Sequence, residues 1–253
     1  MNFFGLRARP PMPEIDRGLI EIIENHSHDL GSKWAWSSDA DWCVASLRKT
    51  LPLPDGGILW SPAGHSLPPA VPLTSEHQVS SLKKLAAMTL KALYLNGHPI
   101  EKEKFRHLAI LGEGHIGTGE PSGMLKWTSC LFTTFPMEIW RQQRRLNHQI
   151  LSAGLADLPW VEVLQPEDNL TTFPFSGILV FDSPERRARV RQKLMAAQVY
   201  PAILWPLDEP VVKGISPEDL DFSQRMLSIH CDLRYGRADM EYVSYLIREY
   251  GNG

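Results

Sequence analysis

The sequence predicts an α/β protein built from two domains. Beyond residue 136, short apolar runs rich in β-branched residues alternate with segments of helical periodicity. This pattern is typical of a small α/β sandwich with helices on one face. Before that point, three strand-like runs precede one long helix. We therefore predict a first domain over residues 1–135 and a small C-terminal α/β domain over residues 136–253.

The first domain begins with an irregular, proline-bearing segment, residues 1–14. Three apolar runs follow that we predict to be strands: "RGLIEIIEN" (17–25), "WCVASLRK" (42–49) and "GGILWSP" (56–62). A proline-rich loop leads to the strongest helix of the chain, residues 75–97, which an Asn-Gly pair closes. The glycine-rich residues 112–123 are predicted to form a mobile loop.

The second domain opens with a predicted helix over residues 136–154, with Pro136 near its start and Gly154 at its end. Three strands and two helices are predicted after it. In chain order they are the strand "FSGILVF", the helix "SPERRARVRQKLMAAQ", the strands "YPAILWP" and "RMLSIHC", and the helix "ADMEYVSYLIREYG". The basic residues of "ERRARVRQK" alternate with apolar ones at helical spacing, so we interpret them as a solvated helix face.

Composition and charge exclude several functional classes. A formal net charge of −3 with 22% charged residues predicts no general affinity for nucleic acid or for an anionic membrane. The N-terminus has no apolar signal segment, and no run is long enough to span a membrane. The three cysteines are odd in number, far apart and without CxxC spacing, which argues against a disulfide framework and for a reducing compartment: Cys43, Cys130 and Cys231. We expect a cytoplasmic protein.

A metal site is one alternative that the sequence raises. Glu24, His26, His28 and Asp29 in "ENHSHDLGS" have HxHD spacing, and alternate residues of a strand face the same way. One of three distant histidines could complete such a site, although nothing in the sequence fixes their distance from it: His65, His77 or His115. Two histidines satisfied within a loop are the simpler interpretation, and we predict no metal.

Two other patterns are weak. "GEGHIG" matches the GxGxxG spacing of dinucleotide-binding loops, but Pro121 and further glycines follow where the helix of that motif should begin. The sequence contains no GxSxG segment, the motif that carries a nucleophilic serine in many hydrolases. Cys130 in "KWTSCLFTTF" has no neighbours that would activate a nucleophilic thiol. Neither pattern predicts a function.

Lys49 carries the strongest chemical signal. It stands three residues after Ser46, at the end of an apolar strand and before a turn that contains Gly56 and Gly57. A buried ammonium is costly unless it is paired, solvated or neutral. A lysine that forms a Schiff base with an aldehyde cofactor removes this cost, because its nitrogen becomes part of the cofactor. Ser46 could then bind the cofactor phosphate. The alternative is a lysine that reaches solvent from a loop.

Several segments occur in a recognisable order. "IIENHSHDLGS" and "ADWCVASLRKTLPLPDGG" are followed by "WRQQRRLNHQIL", "SPERRARVRQKLMAAQVYPAILWPL" and "RMLSIHCDLRYGRADMEYVSYLI". Together they resemble the DegT/StrS-type sugar aminotransferases, which are fold-type I enzymes that use pyridoxal phosphate (PLP). The resemblance runs from about residue 17 to the C-terminus. It implies part of a PLP-transferase large domain, with about three strands of its sheet, followed by a small α/β domain.

The resemblance assigns roles to four residues. Lys49 would be the Schiff-base lysine and the later proton shuttle, and His28 matches a position that contacts the pyridoxal O3′. Ser46 would bind the phosphate, although the family more often has a serine two positions earlier, at Val44 here. Asn25 stands where the family has an aspartate. Asparagine brings no charge to hold the pyridine nitrogen protonated, so transamination should be weakened.

Two functions remain open from the sequence. The first is a PLP-dependent aminotransferase that acts on an amino sugar or a related small amine. The second is a non-catalytic, degenerate aminotransferase-fold protein that serves as a binding or dimerisation partner. Because the first part of the family's large domain is missing, we expect either a homo-oligomer or pairing with a full-length relative. We do not expect the chain to bind nucleic acid or a membrane.

Overall fold

The structure is a computed structural model, and it describes residues 1–10, 19–116, 120–208 and 213–252. The chain divides into two compact units. The first consists mainly of Ser37–Phe135, together with the segment that ends at Leu30. The second consists mainly of Pro136–Gly253, together with Gly31–Trp36 and the N-terminal segment that starts at Asn2. The division into domains at residues 135 and 136 stays a prediction.

The first unit contains a three-stranded sheet. Its strands are β1 (Ile23–Asn25), β2 (Trp42–Ser46) and β3 (Gly57–Trp60), which lie side by side in that order. β1 runs parallel to β2, and β3 runs antiparallel to it. Alternate residues of β2 are buried, which is the period expected of a strand with one covered face. The strand predicted over residues 17–25 is shorter than expected, and its first two residues lie outside the described part.

A single helical turn follows β2 directly. This turn, α2 (Leu47–Thr50), closes with a hydrogen bond from the Leu51 N–H to the Leu47 carbonyl at 2.9 Å. Gly56 has a φ of +103°, which returns the chain towards β3. The prediction that Lys49 ends a strand is therefore wrong. The buried side chains at both ends of α2 favour a helical turn here, because they fall three residues apart on one face.

Three helices complete the first unit: α3 (Ser75–Leu95), α4 (Lys102–Ile116) and α5 (Lys126–Thr134). α3 begins where sequence predicts it, because the Thr74 hydroxyl accepts a hydrogen bond from the His77 N–H at 3.3 Å. It ends before Gly97, which has a φ of +82°, as expected of a glycine that terminates a helix. α5 was not predicted.

The predicted mobile loop over residues 112–123 is wrong as far as Ile116, because Gly112 and Gly114 lie inside α4. α4 packs along α3, and a Cβ atom added at Gly112 would lie 2.8 Å from the Ser80 carbonyl oxygen. This glycine thus permits close approach of two helices. Residues 117–119 of the predicted loop lie outside the described residues.

The second unit contains an antiparallel sheet in the order β4 (Val161–Val163), β5 (Gly177–Phe181) and β6 (Met226–Ile229). Helices α6 (Met137–Leu155), α7 (Pro184–Ala196) and α9 (Arg237–Gly251) bury their apolar side chains with the sheet in one core. The helices predicted at these three positions are confirmed, as are the strands predicted at β5 and β6. A smaller cluster of Leu6, Ile178 and Met226 forms a second core in this unit.

The strand predicted for "YPAILWP" (200–206) is wrong. Only Ala202 pairs with a strand there, through an isolated bridge to Ser228. Pro201 and Pro206 cannot donate backbone hydrogen bonds, and Trp205 has a φ of +49°, so a continuous ladder cannot form. Four short elements of this unit were not predicted: a 3₁₀ turn (Phe3–Gly5), α1 (Lys33–Trp36), β4 and α8 (Pro217–Arg225). In the described part of the chain, no helix is both long and apolar enough to cross a membrane.

Candidate functional site

The carboxyl ends of β1 and β2 meet because the two strands are parallel neighbours. Asn25 is the last residue of β1 and Ser46 is the last residue of β2. Ser27 joins them: its N–H donates to the Asn25 Oδ1 at 3.0 Å, and its hydroxyl accepts from the Ser46 N–H at 2.9 Å. Two of the four predicted site residues are thus held in a fixed relation.

Lys49 lies on α2, three residues beyond Ser46, and it is exposed. The structure thus has the alternative that the sequence left open, a lysine that reaches solvent, and the cost of burying an ammonium does not arise. The neighbouring Arg48 pairs with Glu113 of α4 at 2.7 Å, and Lys84 of α3 pairs with the same carboxylate. These ion pairs fix the turn that carries Lys49 against two long helices.

His28 is buried, with 1% of its surface exposed. Burial, and after it the positive charge of Lys49, lowers the pKa of His28 to about 4. His28 is therefore neutral at pH 7, with one ring nitrogen able to donate a hydrogen bond and the other able to accept one.

An open depression of about 390 Å³ lies beside these strand ends. Ser27 and Ser46 line it together with other residues of β2 and β3 and with Gly56 of the turn between them. The Ser46 hydroxyl makes no capping bond to α2. Asn25, His28 and Lys49 are not among the lining residues, so the depression covers only the serine side of the predicted site.

The HxHD segment separates into two environments. The His26 ring lies between two carboxylates, with Nε2 at 3.0 Å from Glu24 and Nδ1 at 3.0 Å from Asp29. Burial alone would lower the pKa of His26, but the hydrogen bonds to Asp29 and Glu24 outweigh it and raise the pKa to about 9. His28 does not join this cluster. Among the described residues, the ligand-type side chains that converge here are Glu24, His26 and Cys43.

The histidines proposed to complete an HxHD metal site lie elsewhere. His65 contacts Asp41 at 3.2 Å, and His77 contacts Asp55 at 3.1 Å. The side chain of His115 lies outside the described part. The structure therefore does not bring Glu24, His26, His28 and Asp29 together as one metal site.

Asp55 organises the turn between β2 and β3. It is fully buried and accepts hydrogen bonds from the Leu125 N–H at 2.9 Å and from the Thr128 hydroxyl, in addition to its contact with His77. A buried carboxylate is stable only when its oxygens are satisfied in this way. Asp55 thus ties the glycine turn to α3 and α5.

In the second unit, the residues of the RR-x-N segment have structural contacts. The buried Arg144 guanidinium donates to the Phe175 carbonyl at 2.5 Å and lies over the Phe173 ring at 5.2 Å. The Asn147 amide donates to the carbonyl oxygens of Cys231 and Tyr235 at 3.1 and 2.9 Å. These contacts hold α6 to the segment before β5 and to the segment after β6.

Sequence reasoning missed Ser27, Glu113 and Asp55. Ser27 had a signal, because an asparagine often bonds the backbone N–H two residues on, and Ser27 is two residues after Asn25. Glu113 is 65 residues from Arg48, and Asp55 is 73 residues from Thr128. No local pattern could pair residues at such separations.

Solved structures share this fold. The aminotransferase TlmJ from Streptoalloteichus hindustanus is 15% identical, with a TM-score of 0.59, over 92% of this chain and 58% of that chain. Spr1654 from Streptococcus pneumoniae, provisionally named a sugar aminotransferase and solved in its PLP form, has the same identity, TM-score and coverage. A DegT DnrJ EryC1 StrS aminotransferase from Brucella abortus is 14% identical, with a TM-score of 0.56 and the same coverage.

The chain therefore has the fold of DegT/StrS-type sugar aminotransferases over part of their length. It spans 58% of each of those three structures, which is less than two thirds. The predicted resemblance and the predicted class, a partial fold-type I large domain followed by a small α/β domain, are confirmed as statements about fold. No protein-family profile matches the chain, and no curated protein matches it. The roles of individual residues must be argued from the site itself.

Proposed function

We propose that the chain is a PLP-dependent aminotransferase-like protein in which Lys49 holds the cofactor. The observation that carries this proposal is the position of Lys49, an exposed amine one helical turn beyond the end of β2. The adjacent strand end holds Asn25, and Ser27 links it to Ser46. An amine, an amide and hydroxyls at the carboxyl ends of two parallel strands suit an aldehyde cofactor that carries a ring nitrogen and a phosphate.

The chain's residues fit the cofactor's functional groups. The Asn25 Oδ1 already accepts from Ser27, so its NH₂ group is the part that can donate to a pyridine nitrogen. The neutral His28 can hydrogen-bond a phenolic oxygen. The Ser46 hydroxyl, which does not cap α2 and lines the depression, suits a phosphate oxygen. When bound, PLP supplies a conjugated ring that withdraws electrons from the carbon bearing the substrate nitrogen.

Lys49 has a second task in this proposal. Besides holding the cofactor, the Lys49 Nζ would carry a proton to and from the substrate carbon. The exposure of Lys49 lets the side chain move between these positions. Asn25 limits the rate, because an amide places no negative charge near the ring nitrogen and stabilises its protonated form less than a carboxylate does.

The substrate is an amino sugar or a related small amine. Support comes from the fold that the chain shares with DegT/StrS-type aminotransferases, one of which is provisionally named a sugar aminotransferase.

The three thiols form no disulfide, which supports a cytoplasmic, reducing environment: Cys43, Cys130 and Cys231.

Amino transfer tests this proposal directly. The purified chain would be loaded with PLP and given amino sugars as donors and 2-oxoglutarate as acceptor, and glutamate formation would be followed. We expect a slow turnover that Lys49→Ala abolishes, whereas Lys126→Ala, which removes another exposed lysine of the same unit, leaves it unchanged. Turnover that survives in Lys49→Ala would show that another group performs the reaction.

A non-catalytic role is the second candidate, and a specific observation favours it. β1 lies at the edge of its sheet, and the exposed fractions of Leu19, Ile20 and Ile23 are 83%, 53% and 65%. An edge strand with exposed apolar side chains is a site where another chain can add a strand. In this case the chain would act as a partner for a second copy or for a longer relative.

Sedimentation equilibrium tests the second candidate. If β1 mediates self-association, Ile23→Lys should produce monomers, because a lysine on an edge strand opposes pairing. Leu95→Lys is the matched control, since Leu95 is 69% exposed at the end of α3. If the wild-type chain is already a monomer, it does not self-associate through β1.

A further inference from the structure

Three side chains that can bind a metal converge where β1 and β2 pair. Glu24 and Cys43 are direct partners in the parallel register, so their side chains leave the sheet on the same side. His26, two residues after Glu24, has its Nε2 at 3.0 Å from the Glu24 carboxylate. The Cys43 Sγ lies 4.0 Å from the same carboxylate. All three ligand atoms are within 4.8 Å of one another, and all three residues are buried.

The surroundings of this cluster match those of metal sites. The Nδ1 of His26, the ring nitrogen that does not contact Glu24, lies 3.0 Å from Asp29. A carboxylate on the far nitrogen is the usual support of a metal-binding histidine, because it fixes the ring and makes the near nitrogen more basic. The Ser38 hydroxyl donates to Glu24 at 2.7 Å and also reaches Cys43. It can serve as a fourth ligand or orient a water in that position.

The ligand set selects the kind of metal. One imidazole nitrogen, one carboxylate oxygen and one thiolate suit Zn²⁺, whereas Ca²⁺ and Mg²⁺ prefer oxygen ligands alone. A tetrahedral zinc ion requires its ligand atoms to be roughly 3.3–3.6 Å apart. The distances of 3.0 Å and 4.0 Å bracket that range, so shifts of a few tenths of an ångström would close these two edges around an ion.

We infer that Glu24, His26 and Cys43 form a structural Zn²⁺ site that fastens β1 to β2. Binding forms one bond each from zinc to the glutamate oxygen, the His26 Nε2 and the Cys43 sulfur. It releases to solvent the proton of the thiol and any proton on the imidazole nitrogen that binds the ion. No oxidation or reduction occurs. Asn25 pairs with Val44 at the next position of the ladder, so it points to the face of the sheet opposite that of Glu24 and Cys43.

Cobalt is a visible probe for this site. The full-length chain would be treated with a chelator, titrated with Co²⁺ under reducing conditions, and then challenged with Zn²⁺. We expect one Co²⁺ per chain, a thiolate-to-cobalt absorption band in the near ultraviolet, and loss of that band on adding Zn²⁺. Cys43→Ser should remove the band, whereas Cys130→Ser, which removes an exposed thiol, should keep it. Asp29→Asn should weaken Co²⁺ binding by about 10–100-fold.

A second measurement does not depend on how the variants fold. X-ray absorption of the zinc-loaded wild-type chain should show one sulfur and two or three nitrogen or oxygen neighbours around the metal. A zinc shell without sulfur, or a cobalt band that disappears in Cys130→Ser and persists in Cys43→Ser, would overturn the inference. The inference would also be overturned if the wild-type chain gave no thiolate-to-cobalt band. Binding of several ions without thiolate coordination would overturn it too, because it would mean adventitious metal only.

Discussion

The Ser27 hydroxyl accepts a hydrogen bond from the Ser46 N–H at 2.9 Å, and this bond joins the ends of two parallel strands. Both residues line the open depression beside β3. Since Ser27 also donates its own N–H to Asn25, one serine positions an amide and a hydroxyl that the proposed cofactor would need. The geometry of the candidate site therefore depends on a residue without a proposed chemical role.

Removing this hydroxyl should destabilise the strand ends. Ser27→Ala leaves the partly buried Ser46 N–H without its acceptor, which costs about 1–3 kcal/mol. Urea unfolding followed by tryptophan fluorescence would measure the loss. Ser75→Ala is the control, because Ser75 is an exposed serine at the start of α3, and it should change stability little. Equal stabilities of the two variants would mean that the Ser27–Ser46 bond contributes nothing.

Asn25→Asp should increase amino transfer. The aspartate retains the acceptor for the Ser27 N–H and adds a charge beside the proposed position of the pyridine nitrogen. A hydrogen bond to a charged group is stronger than a neutral one by about 1 kcal/mol, so we expect a rate increase of about fivefold. Asn25→Ala, assayed alongside, should lower the rate. If aspartate and alanine have the same effect, Asn25 does not face the ring nitrogen.

His148 should make the chain less stable in acid. His148 lies buried in α6, 3.1 Å from the Leu164 carbonyl oxygen, and burial lowers its pKa from 6.5 to about 4. The folded state thus holds the neutral imidazole, while the unfolded chain takes up a proton below pH 6.5. Stability from this group is complete above pH 6.5 and is lost as the pH falls to about 4, by about 3 kcal/mol.

His148→Gln checks this account, because glutamine can donate to the same carbonyl but does not titrate. Urea unfolding at several pH values between 6.5 and 4 should show a shallower decline for His148→Gln than for the wild type. His98→Gln, at an exposed position, should follow the wild type. A decline of unchanged slope in His148→Gln would assign the acid sensitivity to other groups.

Two glycines of α4 should respond in opposite directions to alanine. A Cβ at Gly112 would lie 2.8 Å from the Ser80 carbonyl oxygen, so Gly112→Ala must separate α3 from α4, at a cost of about 1–3 kcal/mol. A Cβ at Gly114 meets nothing within 4 Å, and Gly114→Ala should stabilise the helix by up to about 1 kcal/mol. Thermal unfolding would measure both. If both variants lose stability, α4 does not pack as described.

The sequence predicts the elements that carry their own local signals. α3 has a capping threonine and a terminal glycine, and α7 is preceded by Ser183, whose hydroxyl accepts a hydrogen bond from the Arg186 N–H. α4 contains two glycines, which disfavour a helix locally. It is a helix because it packs on α3. The segment 200–206 has strand-forming residues, but its prolines and the positive φ of Trp205 prevent a ladder.

The candidate site was predictable in part. The order of its segments brings Asn25 and Ser46 to neighbouring strand ends, as the resemblance implies. The exposure of Lys49 is one of the two alternatives that the sequence left open, and the helical turn that carries it has a local signal in the spacing of Leu47 and Thr50. The ion pair of Arg48 with the distant Glu113 had no such signal and required the structure. The separation of His26 from His28 also required the structure, since their spacing allowed a shared metal site.

The most direct test of the central claim is to map where PLP attaches. The purified chain would be incubated with PLP, reduced with borohydride, digested and analysed by mass spectrometry, with Lys49→Ala treated in parallel. We predict one equivalent of label, located on Lys49 and absent from the variant. Label spread over several exposed lysines, with Lys49 no more reactive than Lys126, would contradict a cofactor role for Lys49.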